Sequence, residues 1–404
     1  MTRSAEVECL DSVGSAELIE MATRRDDLQV YWRTAGLMCV GFGIAAVRWA
    51  DTGGSADDLF YSLQDAAAQL DPHDRIPGPW FGGLAFDTQV ASEPLWSGFP
   101  ASRWIVPMTL YWATPQGCWR ASFPQDPPSE VADIQSQGAQ SGTESLFGVD
   151  YGVPAFQTKV DRVLGFVASG DLGKLVVSLG IDVPLRTDYS LVKALGRQSP
   201  VAGVTQFLLR GADDSWLVGA SPERLLKVRG TQVLCDALGG SVGLGGAYSA
   251  KERREHQFVV DAIVQALEPL ASPVELSPTR TWNLPYISHL HTEVRATRKP
   301  DSSLWSLVSA LHPTPAVCGW PTTFARDWLR ANEAAQRGWY TGLVGSMGVT
   351  RADLLVCLRC ALVTPRRARI FVGAGVVEGS CSESEVVEVK AKAMAMTSVL
   401  PIAR

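Results

Sequence analysis

The stretch GKLVVSLGIDVPL, residues 173–185, sets a lysine directly before a run of apolar, β-branched residues that reads as a buried strand. The chain has only eight lysines in 404 residues, and none before Lys159, so its basic surface charge falls almost entirely to arginine. A lysine at the head of a buried strand therefore calls for a reason. Outward from it, the strand-like runs TQFLLRG, SWLVGAS, LLVCLRCALV and RIFVGAGVV alternate with helical patterns. Those helices are FQTKVDRVLGFVASG, KERREHQFVVDAIVQALEPL, FARDWLRANEAAQRG and SESEVVEVKAKAMAMTSVL.

Upstream, LQVYWRTAG, LMCVGFGIAAVRWA, PWFGGLAFD, RWIVPMTLYWA and CWRASF predict strands, with a helix at DDLFYSLQDAAAQL. Residues 1–123 thus read as a β-rich N-terminal lobe. The Pro-, Ser-, Gln- and Gly-rich residues 124–149 read as a linker or surface excursion, and 150–404 as a second region of interspersed strands and helices. A net charge of −6, with no Lys/Arg block and no RNA-type aromatic motif, argues against nucleic acid as a partner. Acidic residues near the N-terminus and the lack of an 18-residue run that is both uncharged and apolar throughout predict a cytoplasmic protein with no membrane span. The eight cysteines are scattered, and the CxxC of Cys357 and Cys360 lies in a strand-like run that would point them to opposite faces.

Near the C-terminus Glu385, Glu388 and Lys392 share one helical stripe, which on a solvated face would amount to a Glu–Lys ion pair. The preceding FVGAGVV, with Gly373, Ala374 and Gly375, offers backbone that an anion can approach closely. An anion beside a carboxylate pair needs a cation, and magnesium takes one or two carboxylates together with substrate oxyanions. Glu255 is a second carboxylate source, with a solvated first helical turn as the alternative. Glu223 follows an apolar strand beside Pro222; near low-dielectric walls it would hold a proton to donate. The five histidines read first as structural, and His312 opens the rigid turn HPTPAVCGWP. Arg359, inside LLVCLRCALV, must find a carboxylate.

Taken in order, GKLVVS, VGASPERLL, ALGGS, EHQFVVDAI, SHL, LHPTPAVCGWP, RGWYTGLVG, LRCAL, FVGAGVV and EVVEVKAK resemble the chorismate-utilising enzymes. Within them the chain is most similar to isochorismate synthases, including those of menaquinone and siderophore pathways. The resemblance implies an α+β fold: a two-lobed antiparallel β-sandwich with flanking helices and the active site in the cleft between the lobes. It implies magnesium-dependent, reversible conversion of chorismate to isochorismate, with Lys174 as the base that activates water and Glu223 as the acid. Glu255 and Glu388 would hold magnesium with Glu385 close by. Gly240, Ser241, Arg359 and the amides of Gly373 to Gly375 would grip carboxylates; His289 would orient the ring, Ala316 would line the site, and Lys392 would support the metal-side carboxylates. No amidotransferase subunit is expected. The chain departs from the family at Leu179, usually an arginine, and in a shortened segment 241–255. Rival readings are a salicylate synthase, which goes on to eliminate pyruvate, and a degenerate chorismate-binding protein with little turnover.

Overall fold

Several runs that read as single strands change sheet partway along, and these corners organise the molecule. In the computed structural model, which describes residues 4–10, 13–50, 52–125 and 152–403, two antiparallel sheets pack face to face. From residue 126 on, the expected linker lies outside the described residues.

The first sheet has eleven strands, in the order Glu6–Leu10, Gly117–Ser122, Thr109–Thr114, Met38–Phe42, Leu28–Arg33, Thr205–Arg210, Trp216–Ser221, Cys360–Val363, Arg367–Val377, Lys174–Pro184 and Gly319–Trp320. The second runs Ala271–Leu276, Ser288–Arg298, Gln232–Val242, Arg224–Arg229, Arg351–Val356, Leu343–Met347, Trp80–Leu84, Ser102–Val106 and Ala46–Ala50, with Arg280–Asn283 pairing Ser288–Arg298 as well. The expected α+β sandwich is therefore the observed one. Its two layers, however, do not divide the chain at residue 123. Leu28–Arg33 pairs with Thr205–Arg210 and Trp80–Leu84 with Leu343–Met347, so both halves of the chain contribute to both sheets. Within residues 1–123 most strands pair among themselves, and each group joins the second half through one strand, Leu28–Arg33 in the first sheet and Trp80–Leu84 in the second.

LMCVGFGIAAVRWA crosses from the first sheet to the second at Gly43, whose φ of 61° suits glycine. RWIVPMTLYWA crosses back at Pro107, which has no amide to give a ladder. Two more crossings lie side by side. Trp216–Ser221 passes to Arg224–Arg229 through Pro222 and Glu223, and Arg351–Val356 passes to Cys360–Val363 through residues 357–359. Three hydrogen bonds join the corners: Val356 N to Glu223 O at 3.0 Å, Ala220 N to Arg359 O at 3.0 Å, and Ser221 Oγ to Val356 O at 2.6 Å. LLVCLRCALV is thus two strands, and Cys357 and Cys360 lie on either side of a corner, both free and buried in the core, rather than on opposite faces of one strand.

The lysine strand, Lys174–Pro184, pairs along its whole length with the glycine strand, Arg367–Val377. Leu175, Val177 and Leu179 turn into a core beneath the helices Val153–Ala168 and Ser382–Thr397. The alternation sends Lys174 and Val176 the other way, so Leu179 faces away from the region Lys174 faces. Buried Glu333 fixes this strand: it accepts from Ser178 Oγ (2.8 Å), Lys159 Nζ (2.6 Å) and Arg337 Nη2 (2.9 Å). Arg337 in turn donates to Val176 O (2.6 Å) and Val317 O (2.8 Å), tying the strand to the HPTPAVCGWP loop. No helix among the described residues is long and apolar enough to cross a membrane.

Removing one partner of such a buried pair strands the other charge. Arg337→Met is expected to lower the unfolding free energy by about 3–5 kcal/mol; an unchanged denaturant midpoint would show that the Glu333 cluster does not anchor the sheet.

Candidate active site

Glu223 stands at a corner because the strand before it ends in Ser221 and the next begins at Arg224. The corner holds its carboxyl out of water, 2% exposed, and its Oε1 has no hydrogen-bond partner among the described residues. Burial is the largest influence on its pKa, which is pushed up to about 8; nearby Asp236 adds to the rise, and Lys174 and Arg359 oppose it. At neutral pH the group is a carboxylic acid. Lys174, 1% exposed, lines the same small chamber, and its Nζ lies 3.0 Å from Glu255 Oε1.

Glu255 does not open its helix. The helix runs Ala250–Leu267, capped by Ser249 with Glu252 closing a capping box, which places Glu255 in the second turn with its side chain buried. The solvated-turn reading therefore fails. On the C-terminal helix, Ser382–Thr397, Glu388 accepts from Lys392 at 2.5 Å. That ion pair forms as the spacing suggests, but in a largely buried setting. Glu385, also buried, accepts from Lys251 Nζ at 2.9 Å. Each of the three glutamates thus has its own lysine. No three His, Cys, Asp or Glu side chains among the described residues gather closely enough to hold a metal by themselves. The donor set nonetheless suits a divalent cation that needs one or two carboxylates. Glu385 Oε2 is buried with no hydrogen-bond partner among the described residues, and burial together with the charge of Glu388 raises the Glu385 pKa.

Arg359 occupies the other corner with φ of 47°, a conformation that a non-glycine residue holds only when its surroundings enforce it. Its Nη2 lies 3.0 Å from His289 Nε2. A guanidinium can only donate, so Nε2 is the acceptor and the imidazole proton sits on Nδ1, which donates to Ser241 Oγ at 3.0 Å. Burial and Arg359 hold the His289 pKa well below its usual value, consistent with a neutral ring. With its oxygen already accepting, Ser241 has its hydroxyl proton to offer a ligand.

The glycine strand is paired on one side only beyond Phe371, where the Cys360–Val363 strand ends. Lys392 Nζ donates to Gly373 O there at 2.9 Å. A Cβ on Gly375 would stand 2.5 Å from Glu255 Oε1 and 2.9 Å from Lys174 Cε, so only glycine admits that pair.

The chamber, about 50 Å³, brings together Lys174, Glu223, Ser241, Glu255, His289, Ala316, Arg359, Gly373, Gly375 and Lys392. Ala374 sends its side chain into the core on the opposite face, and Gly240 packs against the first turn of the Glu255 helix, where a Cβ would meet Glu252 O at 2.4 Å. Glu385 and Glu388 do not line the chamber. Tyr340, Thr341, Val176 and Leu238 do, and sequence reasoning missed them as site residues. The only signal for Tyr340 and Thr341 was RGWYTGLVG, and Thr341 has a φ of 62°. An adjoining cavity of about 400 Å³, walled by residues including Tyr286, Ile287 and Ala395, shares Arg359 and Lys392 with the chamber.

A buried carboxyl, a buried amine and a guanidinium on the walls of one chamber are the equipment of an enzyme. More particularly, the chain belongs to the chorismate binding enzyme family, which it matches over residues 3–401. It is 35% identical over 268 residues to the salicylate biosynthesis isochorismate synthase of Pseudomonas aeruginosa, covering 61% of this chain and 54% of that one. It is 32% identical over 276 residues to the isochorismate synthase DhbC of Bacillus subtilis, covering 61% and 68% respectively. In fold it is similar to MenF, the menaquinone-specific isochorismate synthase of Escherichia coli (TM-score 0.75, 20% identity, 99% of this chain and 95% of that one). It is also similar to anthranilate synthase component I of Streptococcus pneumoniae (TM-score 0.69, 18% identity, 89% and 92%).

A protonated Glu223 has a thermodynamic signature. Between its ordinary value of 4.5 and about 8 the unfolded chain releases a proton that the native state keeps. The contribution to stability is therefore full below the lower value and lost as pH rises through the upper one. Glu223→Gln is expected to flatten that decline, read as the difference between wild-type and variant unfolding free energies across the range; parallel curves would mean that Glu223 is ionised in the native protein.

Proposed function

We propose that the protein is a magnesium-dependent isochorismate synthase, converting chorismate reversibly to isochorismate. The observation that carries this reading is a carboxylic acid at Glu223 and an amine at Lys174 on the walls of one chamber. Water must add at C2 of chorismate while the C4 hydroxyl departs and the ring double bonds shift. Hydroxide leaves poorly unless protonated, and water attacks poorly unless a base takes its proton. Glu223 gives the proton to the departing C4 hydroxyl, and Lys174 takes one from the incoming water. One water enters and one leaves, so the product is an isomer.

Arg359, steadied by His289, and the Ser241 hydroxyl would bind substrate carboxylate, with the larger cavity giving room for the enolpyruvyl arm. Glu255 and Glu388 would hold magnesium, with Glu385 beside them; when bound it neutralises the ring carboxylate among these acidic groups. Glu255 would hold the cation with the same carboxylate that now meets Lys174 Nζ, so holding it would free the amine. Water is the nucleophile, so no ammonia-supplying subunit is required.

Chromatography of chorismate incubated with the protein and magnesium is expected to show isochorismate. Salicylate with pyruvate as the main products would instead mean a salicylate synthase, and magnesium-dependent binding without product a binding protein. Lys174→Ala should lower turnover about 10²–10⁴-fold, the usual worth of a positioned base, with chorismate binding retained. kcat/KM should fall as pH rises through about 8, where Glu223 loses its proton; undiminished rates above that value would remove Glu223 as the acid.

A further inference from the structure

Outside the residues that line the chamber, one cluster of buried polar side chains is bonded to the corner that carries Glu223. Asp236 belongs to the strand Gln232–Val242, two residues before Leu238, so it faces the same side of the sheet as that chamber-lining residue. It is 5% exposed. Its Oδ2 accepts from the Arg224 amide at 3.4 Å and lies 3.4 Å from Arg224 Nη1. Its Oδ1 lies 2.9 Å from His291 Nε2. Arg280 Nε donates to His291 Nδ1 at 3.4 Å, so Nδ1 is the acceptor, and the imidazole proton sits on Nε2 and is given to Asp236. Trp282 packs edge-on against that ring, with 5.1 Å between centroids. The carboxylate thus has an imidazole N–H on one oxygen and a guanidinium beside the other.

The corner is held from its other side as well. Glu223 N donates to Ser221 Oγ at 3.3 Å, and Glu223 O accepts from Val356 N. With the Arg224 amide on Asp236, the amide and carbonyl of Glu223 and the amide that follows all have partners. We propose that Asp236 is a positioning residue for the acid: it anchors the backbone on which Glu223 stands, and its charge disfavours a second carboxylate beside it, so that Glu223 keeps its proton until the reaction draws on it. The proposal rests on Glu223 being the acid of the proposed reaction. Lys174, Arg359 and Lys392 favour the ionised form of Glu223, and Asp236 opposes them. Glu255, His289 and Tyr340 complete the titratable lining of the chamber. Besides Arg224 and His291, Asp236 has Lys227 and Glu293 on its neighbouring strands; the first is paired with Asp353 and the second with Arg295.

The protonated-carboxyl infrared band that Glu223→Gln removes reports on the acid without turnover, and in the wild-type protein its loss is expected with a midpoint at about pH 8. In Asp236→Asn, which keeps the size of the side chain but not its charge, the midpoint should fall by about one unit. In Arg224→Gln, which leaves the charge of Asp236 without its cation, the midpoint should rise. A corner that had merely come apart would admit water to Glu223 and lower the midpoint in both variants. The alkaline limb of kcat/KM for chorismate should follow the same two shifts, and its position does not depend on how much of the protein is folded. If Asp236→Asn does not fold, Arg224→Gln decides alone. An unmoved midpoint in Asp236→Asn, or an unmoved or lowered one in Arg224→Gln, would overturn the proposal. Infrared shifts without the kinetic ones would leave the hold of Asp236 on Glu223 standing and remove Glu223 as the acid.

Discussion

Lys174 and Glu255 meet at 3.0 Å in the space between two sheets, both nearly out of water. Removing two such charges from solvent costs several kcal/mol per ion, and their attraction repays this only with good geometry, so the pair is poor ground for stability. Its setting is specific all the same. The lysine strand delivers the amine, the second turn of the Ala250–Leu267 helix delivers the carboxylate, and Gly375 leaves the gap that both occupy. Two further lysine–glutamate pairs, Lys251 with Glu385 and Lys392 with Glu388, are built on the helices that flank it. Concentrating buried charge in one region is what acid–base and metal-assisted chemistry requires.

The corners between the sheets place the remaining groups. Where strands change sheet, the backbone leaves its ladder, and a side chain can be set at an angle that a regular strand would not permit. Glu223 and Arg359 stand on two such corners, side by side and joined by backbone hydrogen bonds. One corner yields a dry acid. The other yields a guanidinium in an enforced backbone conformation, ordered by His289. Fold and site thus share one origin, since the crossings that let two sheets exchange strands also put the reactive groups between them.

Much of this was legible in the sequence because it is local. The strands and helices announced themselves by period, and Lys174, Glu223 and Arg359 stood out as charges in apolar surroundings, whereas Glu255, inside the charged run KERREH, read equally as a solvated helical turn. The crossings were not legible. LLVCLRCALV satisfies strand periodicity throughout, and only the φ of Arg359 shows where it breaks; LMCVGFGIAAVRWA and RWIVPMTLYWA hid their corners at Gly43 and Pro107 in the same way. The lysine–glutamate partnerships join distant parts of the chain, and no spacing rule foretells Lys174 with Glu255 or Lys251 with Glu385. Tyr340 and the Glu333–Arg337 anchor escaped notice because an aromatic residue and an i, i+4 ion pair are ordinary until burial makes them otherwise. Leu179 reads as a departure from the family pattern, yet it lies in the core on the face away from the chamber.

The central claim is that Lys174 activates a water while Glu223 expels a hydroxyl, two oxygens on two ring carbons. Turnover of chorismate in water enriched in heavy oxygen, followed by mass spectrometry of the product, tests this most directly. Isochorismate carrying one solvent-derived oxygen at C2 is the predicted result; isochorismate that retains the original hydroxyl oxygen of chorismate and takes none from solvent would contradict it.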